Sequence, residues 1–265
     1  MGEILSDRFG AAAAWANELH GEHVRKGSQI PYVSHLFAVA SLVLEDGGNE
    51  DQAIAALLHD AVEDGKTELP EIKSRFGADV AAMVEACSDT LVNPKPPWRN
   101  RKQAYIDHLN DPRTSEGALR VSAADKVHNA RCILADYRAI GDELWTRFNP
   151  DAQSGETQLW YYEHLIEAFE ARRPNSQLTL DLRRTVNTLR DLVGFAGPHP
   201  AACPACAGGP VVPIVYGYPD ESLLQESADN EVAMGGCCIT SESPAWQCLS
   251  CSHQFGLLPG ERLDS

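Results

Sequence analysis

Apolar positions recur at helical spacing through the first two-thirds of the chain. Ile4, Phe9, Ala12, Ala13, Ala16 and Leu19 predict a helix over residues 3–24. His35, Leu36, Val39, Ala40, Leu42 and Val43 predict a second, which stops at Gly47-Gly48. Asn49, with Gln52 three residues on, is the capping pair expected at the head of a third. Residues 69–76 form a short helical pattern that ends at Gly77, and residues 78–87 continue as another. Pro94, Pro96 and Pro97 mark a loop. Helical spacing returns over residues 101–109, 115–139 and 157–172, and after a break at 173–177 over 178–195. Gly197-Pro198-His199-Pro200 is a second break. Beyond it the pattern changes: Val211-Val212-Pro213-Ile214-Val215-Tyr216-Gly217-Tyr218 is β-branched and aromatic, which favours short strands and turns. The expected fold class is mainly α, with a helical domain over 1–175, a helical linker over 176–197 and a small β-rich domain over 198–265.

Composition narrows the partners. The formal net charge of −16 argues against nucleic acid held through its phosphates, but leaves room for a small phosphorylated ligand in a local basic pocket. No apolar run approaches the roughly 20 residues of a membrane span. The first residues, Met-Gly-Glu-Ile-Leu-Ser-Asp, lack a basic region followed by an apolar one, so a cytoplasmic protein is expected.

The third helix carries the strongest chemical signal, His59-Asp60-Ala61-Val62-Glu63-Asp64, after the apolar run Ala53-Ile54-Ala55-Ala56-Leu57-Leu58. At helical spacing Ile54, Leu57, Leu58, Ala61 and Val62 share one arc of a single helix, and His59, Asp60, Glu63 and Asp64 the opposite one. Such a face is either solvated acidic surface or a place where a divalent cation relieves the crowded carboxylates. Two other positions invite the same question: His35 at the head of the second helix, and Asp125 in Ala124-Asp125-Lys126-Val127-His128-Asn129, with Asn129 one turn beyond. His20 and His23 carry no such signal and are expected to be ordinary histidines.

The ordered run Arg25-Lys26, Pro31-Tyr32, His35, then Ala56 to Asp64, then Phe76-Gly77-Ala78-Asp79-Val80, then Ala124 to Arg131 resembles the HD-domain hydrolases of the RelA/SpoT type. It is most similar to their stand-alone members, the small alarmone hydrolases (MESH1-like). The resemblance spans about residues 7 to 172 and implies an all-α HD domain. It also implies a Mn²⁺ ion on His35, His59, Asp60 and Asp125, with Glu63 and Asp64 handling the attacking water. Asn129 is implied near the metal and the ribose, and Arg25 and Lys26 at the nucleotide. The implied reaction removes the 3′-pyrophosphate of (p)ppGpp to give GDP or GTP. No synthetase region follows, so hydrolysis alone is expected. Arg99, Arg101, Lys102 and Lys126 are further cations available to a pyrophosphate. The segment from Arg25 to His35 is one residue longer than in many relatives, which keeps adenosine alarmones and NADPH open as substrates; the cysteine-rich C-terminal region keeps open a nucleotide-sensing role without turnover. Trp98 is expected either to stack on the base or to pack on the surface.

Six of the eight cysteines lie between Cys203 and Cys251. Cys203-Pro204-Ala205-Cys206 and Cys248-Leu249-Ser250-Cys251 are two CxxC knuckles, with Gly208-Gly209 after the first and Trp246 before the second. They resemble zinc-ribbon domains, in which four thiolates hold a structural Zn²⁺. Between Cys203 and Cys251 there is no Lys or Arg, so this module is expected to meet a protein partner rather than nucleic acid. Cys237 and Cys238 are extra thiols, expected to be buried and structural.

Overall fold

A computed structural model describes residues 5–88, 95–195, 203–206, 208–216, 221–228, 230, 232–236 and 243–257. They divide into two compact units, residues 1–189 and 190–265. The first is helical. It contains α1 (Asp7–His20), α2 (Val33–Glu45), α3 (Glu50–Leu58), α4 (Leu69–Phe76), α5 (Ala78–Cys87), α6 (Trp98–Asn110), α7 (Glu116–Ile140), α8 (Gly155–Arg172) and most of α9 (Gln177–Phe195), with a 3-10 stretch Gly141–Arg147 between α7 and α8.

The helix starts follow from local chemistry. Ser6, Ser115 and Ser154 cap α1, α7 and α8 through their side chains, and Asn49 and Gln52 form the expected reciprocal capping box on α3. Glu50 in the first turn of α3 accepts from the Ser6 hydroxyl at 2.7 Å, which ties the start of α1 to the start of α3. Gly77, at φ +101°, lets α5 begin directly after α4. α1 runs only over Asp7–His20, shorter than the apolar spacing predicts, because Gly21 and the backbone bond from His23 N–H to the His20 carbonyl turn the chain away.

α3 is the centre of the unit. Every residue from Ala53 to Leu58 is fully buried, and α3 packs against α1, α2, α5 and α7. Burial on all sides explains why its sequence is apolar throughout rather than striped. The helix stops at Leu58, and residues 59–65 form consecutive turns, with Gly65 at φ +66°.

A buried ionic knot holds the α2–α3 connection. Asp46 accepts from Arg120 of α7 at 3.0 Å and from Arg173, just past α8, at 2.5 Å, and Arg173 also reaches Glu116 at 2.7 Å. Burial would raise the Asp46 pKa, but the two guanidiniums outweigh it and hold the carboxyl below its ordinary value. The stabilisation is therefore present at neutral pH and is lost as pH falls through that lowered value. Asp46→Ala removes the carboxylate shared by the buried Arg173 and the part-buried Arg120, which keep only Glu116 and Gln52 as partners, and is expected to cost about 2–3 kcal/mol. Urea unfolding followed by circular dichroism measures it; a change below about 1 kcal/mol would show the knot to be dispensable.

In the second unit β1 (Val211–Val215), β2 (Ala233–Met234), β3 (Pro244–Cys248) and β4 (Gln254–Leu257) form a sheet of order β2-β1-β3-β4. β1 runs parallel to β2 and antiparallel to β3, which is antiparallel to β4; Val211 faces Cys248, and Trp246 faces both Pro213 and Phe255. A short helix, α10 (Glu221–Ala228), lies between β1 and β2 where only strand and turn signals are legible in the sequence. Among the described residues no helix is long and apolar enough to cross a membrane.

Candidate metal centre and active site

Three separate elements deliver four ligand-type side chains to one point. His35 comes from the first turn of α2, His59 and Asp60 from the end of α3, and Asp125 from the middle of α7; His35, His59 and Asp125 are buried. His59 Nε2 lies 3.0 Å from Asp60 Oδ2 and 3.6 Å from Asp125 Oδ1, and His35 Nε2 lies 3.2 Å from Asp125 Oδ1 and 3.6 Å from Asp60 Oδ2.

The ring orientations suit ligation. His59 Nδ1 sits 2.8 Å from the Ala56 carbonyl, which can only accept, so Nδ1 carries a hydrogen and Nε2 faces the carboxylates as the ligand atom once its own proton is displaced. That Nε2 is buried and has no hydrogen-bond partner, an orphan that a cation would satisfy. His35 Nδ1 lies 2.8 Å from His128 Nδ1. Burial and then the neighbouring His35 push His128 down to about 4, so His128 is neutral and the two Nδ1 atoms share one hydrogen, while His35 Nε2 faces the carboxylates.

Electrostatics point the same way. Burial opposes charge on Asp60 and Asp125. Nonetheless His59 and His35 beside Asp60, and Lys126 with both imidazoles around Asp125, hold the two carboxyls well below the usual range. Burial likewise opposes a charged His59, and Asp60 and Asp125 overcome it. The pocket thus demands positive charge, and a divalent ion meets that demand while displacing the His59 proton. This is a buried His/Asp metal site, with mixed nitrogen and oxygen donors.

Its surroundings were only partly legible in the sequence. Asn129 donates to Asp125 Oδ1 at 2.6 Å and accepts from Arg25 at 3.0 Å, so the basic loop after α1 is wired to the ligand set. Lys126 donates to Asp125 Oδ2 at 2.6 Å, and that carboxylate holds the buried ammonium well above its ordinary pKa. Tyr32, which the sequence reading left without a role, donates to Asp60 Oδ2 at 2.5 Å. Glu63 and Asp64 follow in the turns, where the Asp64 N–H bonds the Asp60 carbonyl at 2.9 Å. Glu63 pairs with Lys95 at 2.9 Å. Partial burial, then repulsion from Asp60 and Glu63, raises the Asp64 carboxyl above its ordinary value.

A cavity of about 490 Å³ adjoins this centre through Tyr32, Lys126 and Asn129. Arg25, Lys26 and Lys102 line it, whereas Arg99 and Arg101 do not. Arg101 is buried and donates to the Pro96 carbonyl, and Arg99 stacks over Trp160. Trp98 opens α6 rather than lying in a loop; it is buried against Trp160 and Tyr161 and shows part of itself to the cavity. The sequence gives no signal that Arg147, Phe148, Tyr161 and Tyr162 also line it. Arg147, paired with Asp136 at 3.2 Å, packs so closely over Gly27 that a Cβ there would fall 2.6 Å from its Cδ.

The second centre is the cysteine cluster. Sγ atoms of Cys203 and Cys251 are 3.7 Å apart, as are those of Cys206 and Cys248, and all four gather within 4.8 Å. Four thiolates at about 2.3 Å from a tetrahedral Zn²⁺ stand about 3.8 Å from one another. Gly209, at φ +99°, makes the first knuckle turn, where a Cβ would strike Ser250. Backbone N–H groups of Cys251 and Ser250 pull the Cys248 thiol down to about 7, towards the thiolate a metal needs. Cys237 and Cys238 lie outside the described residues.

The sequence profile of the HD domain family matches residues 12–149, which leaves the cysteine cluster outside the match. The guanosine-3′,5′-bis(diphosphate) 3′-pyrophosphohydrolase MESH1 of Xenopus tropicalis is 40% identical over 138 residues, 51% of this chain and 72% of that protein. The protein of the same name from Danio rerio is 36% identical over 60% of this chain and 81% of its own. The 3′-pyrophosphohydrolase of Aquifex aeolicus is 47% identical across 46% of this chain but only 17% of its own length. Among solved structures, a metazoan orthologue of SpoT that hydrolyses ppGpp superposes with a TM-score of 0.57 at 22% identity, covering 70% of this chain and 97% of that one, a likeness of fold.

Proposed function

The chain belongs to the HD domain family, and within it to the MESH1-type 3′-pyrophosphohydrolases; from that premise we propose that it hydrolyses guanosine alarmones at the 3′ position. Water is added across the bond between ribose O3′ and the pyrophosphate, so that ppGpp yields GDP and pppGpp yields GTP, each with pyrophosphate. The observation that carries the proposal is the buried, unpartnered His59 Nε2 facing His35, Asp60 and Asp125 beside a cavity lined by cations and aromatic rings.

In this reading His35, His59, Asp60 and Asp125 hold Mn²⁺, which suits a mixed nitrogen and carboxylate donor set. When bound, the ion supplies charge to the phosphoryl oxygens and acidifies water. The chain's own residues do the rest. Glu63 and Asp64 position the water and take its proton; the raised pKa of Asp64 makes it a better base than an ordinary carboxylate. Lys126 and Asn129 fix Asp125, and Arg25 reaches the same point through Asn129. Arg25, Lys26 and Lys102 offer positive charge to the phosphates in an otherwise acidic protein. His128 and Tyr32 are positioning residues for His35 and Asp60. The four-cysteine cluster holds a structural Zn²⁺, and its sheet, free of basic residues near the knuckles, is a protein-binding module. A reducing compartment, the cytoplasm, keeps such thiols available to metal.

Purified protein with Mn²⁺ is expected to release pyrophosphate from ppGpp, with GDP as the other product. The measurement is chromatography of nucleotide products from a panel of ppGpp, ppApp and NADPH. Pyrophosphate released from ppApp, or orthophosphate from NADPH, without release from ppGpp would overturn the guanosine assignment.

A further inference from the structure

One donor cluster lies apart from both centres. His20, at the end of α1, is 1% exposed, and neither of its ring nitrogens has a hydrogen-bond partner. A fully buried imidazole with two orphaned nitrogens is costly unless something occupies them. His20 Nδ1 faces Asp64 Oδ2 at 3.9 Å, and His23 stands edge-on to the His20 ring with centroids 5.5 Å apart. One donor atom from each of His20, His23 and Asp64 falls within 4.8 Å of the other two.

We propose that His20, His23 and Asp64 form a second divalent-cation site in the helical unit, of the two-histidine, one-carboxylate class that accepts Zn²⁺. Donors around a tetrahedral Zn²⁺ at about 2.0–2.2 Å stand roughly 3.4 Å apart, so the cluster closes onto an ion by a modest rotation of the two accessible members, His23 and Asp64. The backbone already fixes all three. The His23 N–H bonds the His20 carbonyl at 2.9 Å, the His23 carbonyl accepts from Tyr32 at 2.8 Å, and the Asp64 N–H bonds the Asp60 carbonyl. Burial keeps His20 neutral, with its pKa pushed down to about 4, so a lone pair is free at neutral pH. Asp60 and Glu63, which crowd Asp64 with negative charge, make the spot more hospitable to a cation. The ring of Tyr32 stacks on His20 at 5.3 Å while its hydroxyl bonds Asp60, so one residue separates the two sites and touches both.

The site stands on donor geometry but shares Asp64 with the proposed base, which an ion bound there would occupy, so it is tested by metal content rather than turnover. The full chain is dialysed against micromolar free Zn²⁺ and its zinc measured by mass spectrometry. Wild type is expected to hold one more Zn²⁺ per chain than His23→Gln, while Asp60→Asn removes a different ion and the double variant removes both. Long-range ¹H–¹⁵N spectra should show the ring signals of His20 and His23 moving together on adding Zn²⁺ to the Asp60→Asn protein. Equal zinc in wild type and folded His23→Gln overturns the site. If His23→Gln does not fold, Asp64→Asn answers the same question, and unchanged zinc there, with unmoved His20 and His23 signals, overturns it as well.

Discussion

Asp60→Asn is expected to lower pyrophosphate release by about a thousandfold or more at saturating Mn²⁺. The substitution is nearly isosteric and keeps an oxygen to accept from Tyr32, so the fold around it has no reason to change. It removes one of the two negative charges that the buried imidazoles face. With Asp125 alone, the site offers a divalent ion two neutral nitrogens and one carboxylate already shared with Lys126 and Asn129. Both occupancy and the charge balance at the reacting phosphoryl group suffer. Three measurements separate the causes: kcat for pyrophosphate release, bound manganese by mass spectrometry, and the melting temperature. Activity within tenfold of wild type, with full manganese, would remove Asp60 from the ligand set and the proposed centre with it. The companion variants Glu63→Gln and Asp64→Asn are expected to keep the manganese and still lose turnover. The sign of the pH dependence follows from the raised Asp64 pKa. A base must be deprotonated, so kcat should climb as pH rises through that raised value and level off above it.

The donor-type residues stand out in the sequence through the order of the family motifs, and their arrangement does not, for a physical reason. His59 and Asp60 stand out because they follow a wholly apolar run, and the burial of Ala53 to Leu58 is a local consequence of that run. What a helical period cannot foresee is that the helix ends at Leu58. A single acidic face becomes two groups: His59 and Asp60 at the metal centre, Glu63 and Asp64 in the turns beyond. The supporting residues are non-local. His128 is quoted in the same motif as Asp125, yet nothing in its spacing says that its ring meets His35, 93 positions away. Tyr32 reaches Asp60 only because α2 and α3 pack together. Arg147 ends a 3-10 stretch with no apolar period and Phe148 follows it in extended backbone, so no pattern marks them as cavity lining. His20 was passed over because a lone helical histidine is usually ordinary; its two orphaned nitrogens exist only in three dimensions. The cysteine knuckles are the opposite case. CxxC spacing is itself the geometry, since residues three apart on a tight turn present both sulfurs to one side, and the structure gathers all four.

Cys248→Ser is expected to unfold the sheet unit while the helical unit keeps its structure. The strands are two to five residues long, and their buried apolar groups form two small clusters, Cys203 with Val211 and Cys248, and Val212 with Ile214 and Ala233. Cores of this size do not hold a sheet by themselves. A Zn²⁺ on these four thiolates, as proposed, would contribute about 10–16 kcal/mol of binding free energy that exists only in the folded state, which is what the apolar contacts lack. Cys248 is the most sensitive place to cut. It is fully buried, pairs with Val211 across the sheet, and its sulfur is the one the knuckle amides draw towards thiolate. Serine there removes a ligand and leaves a hydroxyl in an apolar cluster. The readouts are zinc content, near-ultraviolet dichroism of Trp246, which packs on that cluster, and limited proteolysis. The variant should lose one zinc and the Trp246 signal and become cleavable beyond residue 195, with the far-ultraviolet helical signal retained. A strong chelator acting on wild type should reproduce the same pattern, and restored zinc should reverse it. If Cys248→Ser keeps its zinc and resists protease as wild type does, the four sulfurs are not the ligand set and the sheet draws its stability from elsewhere.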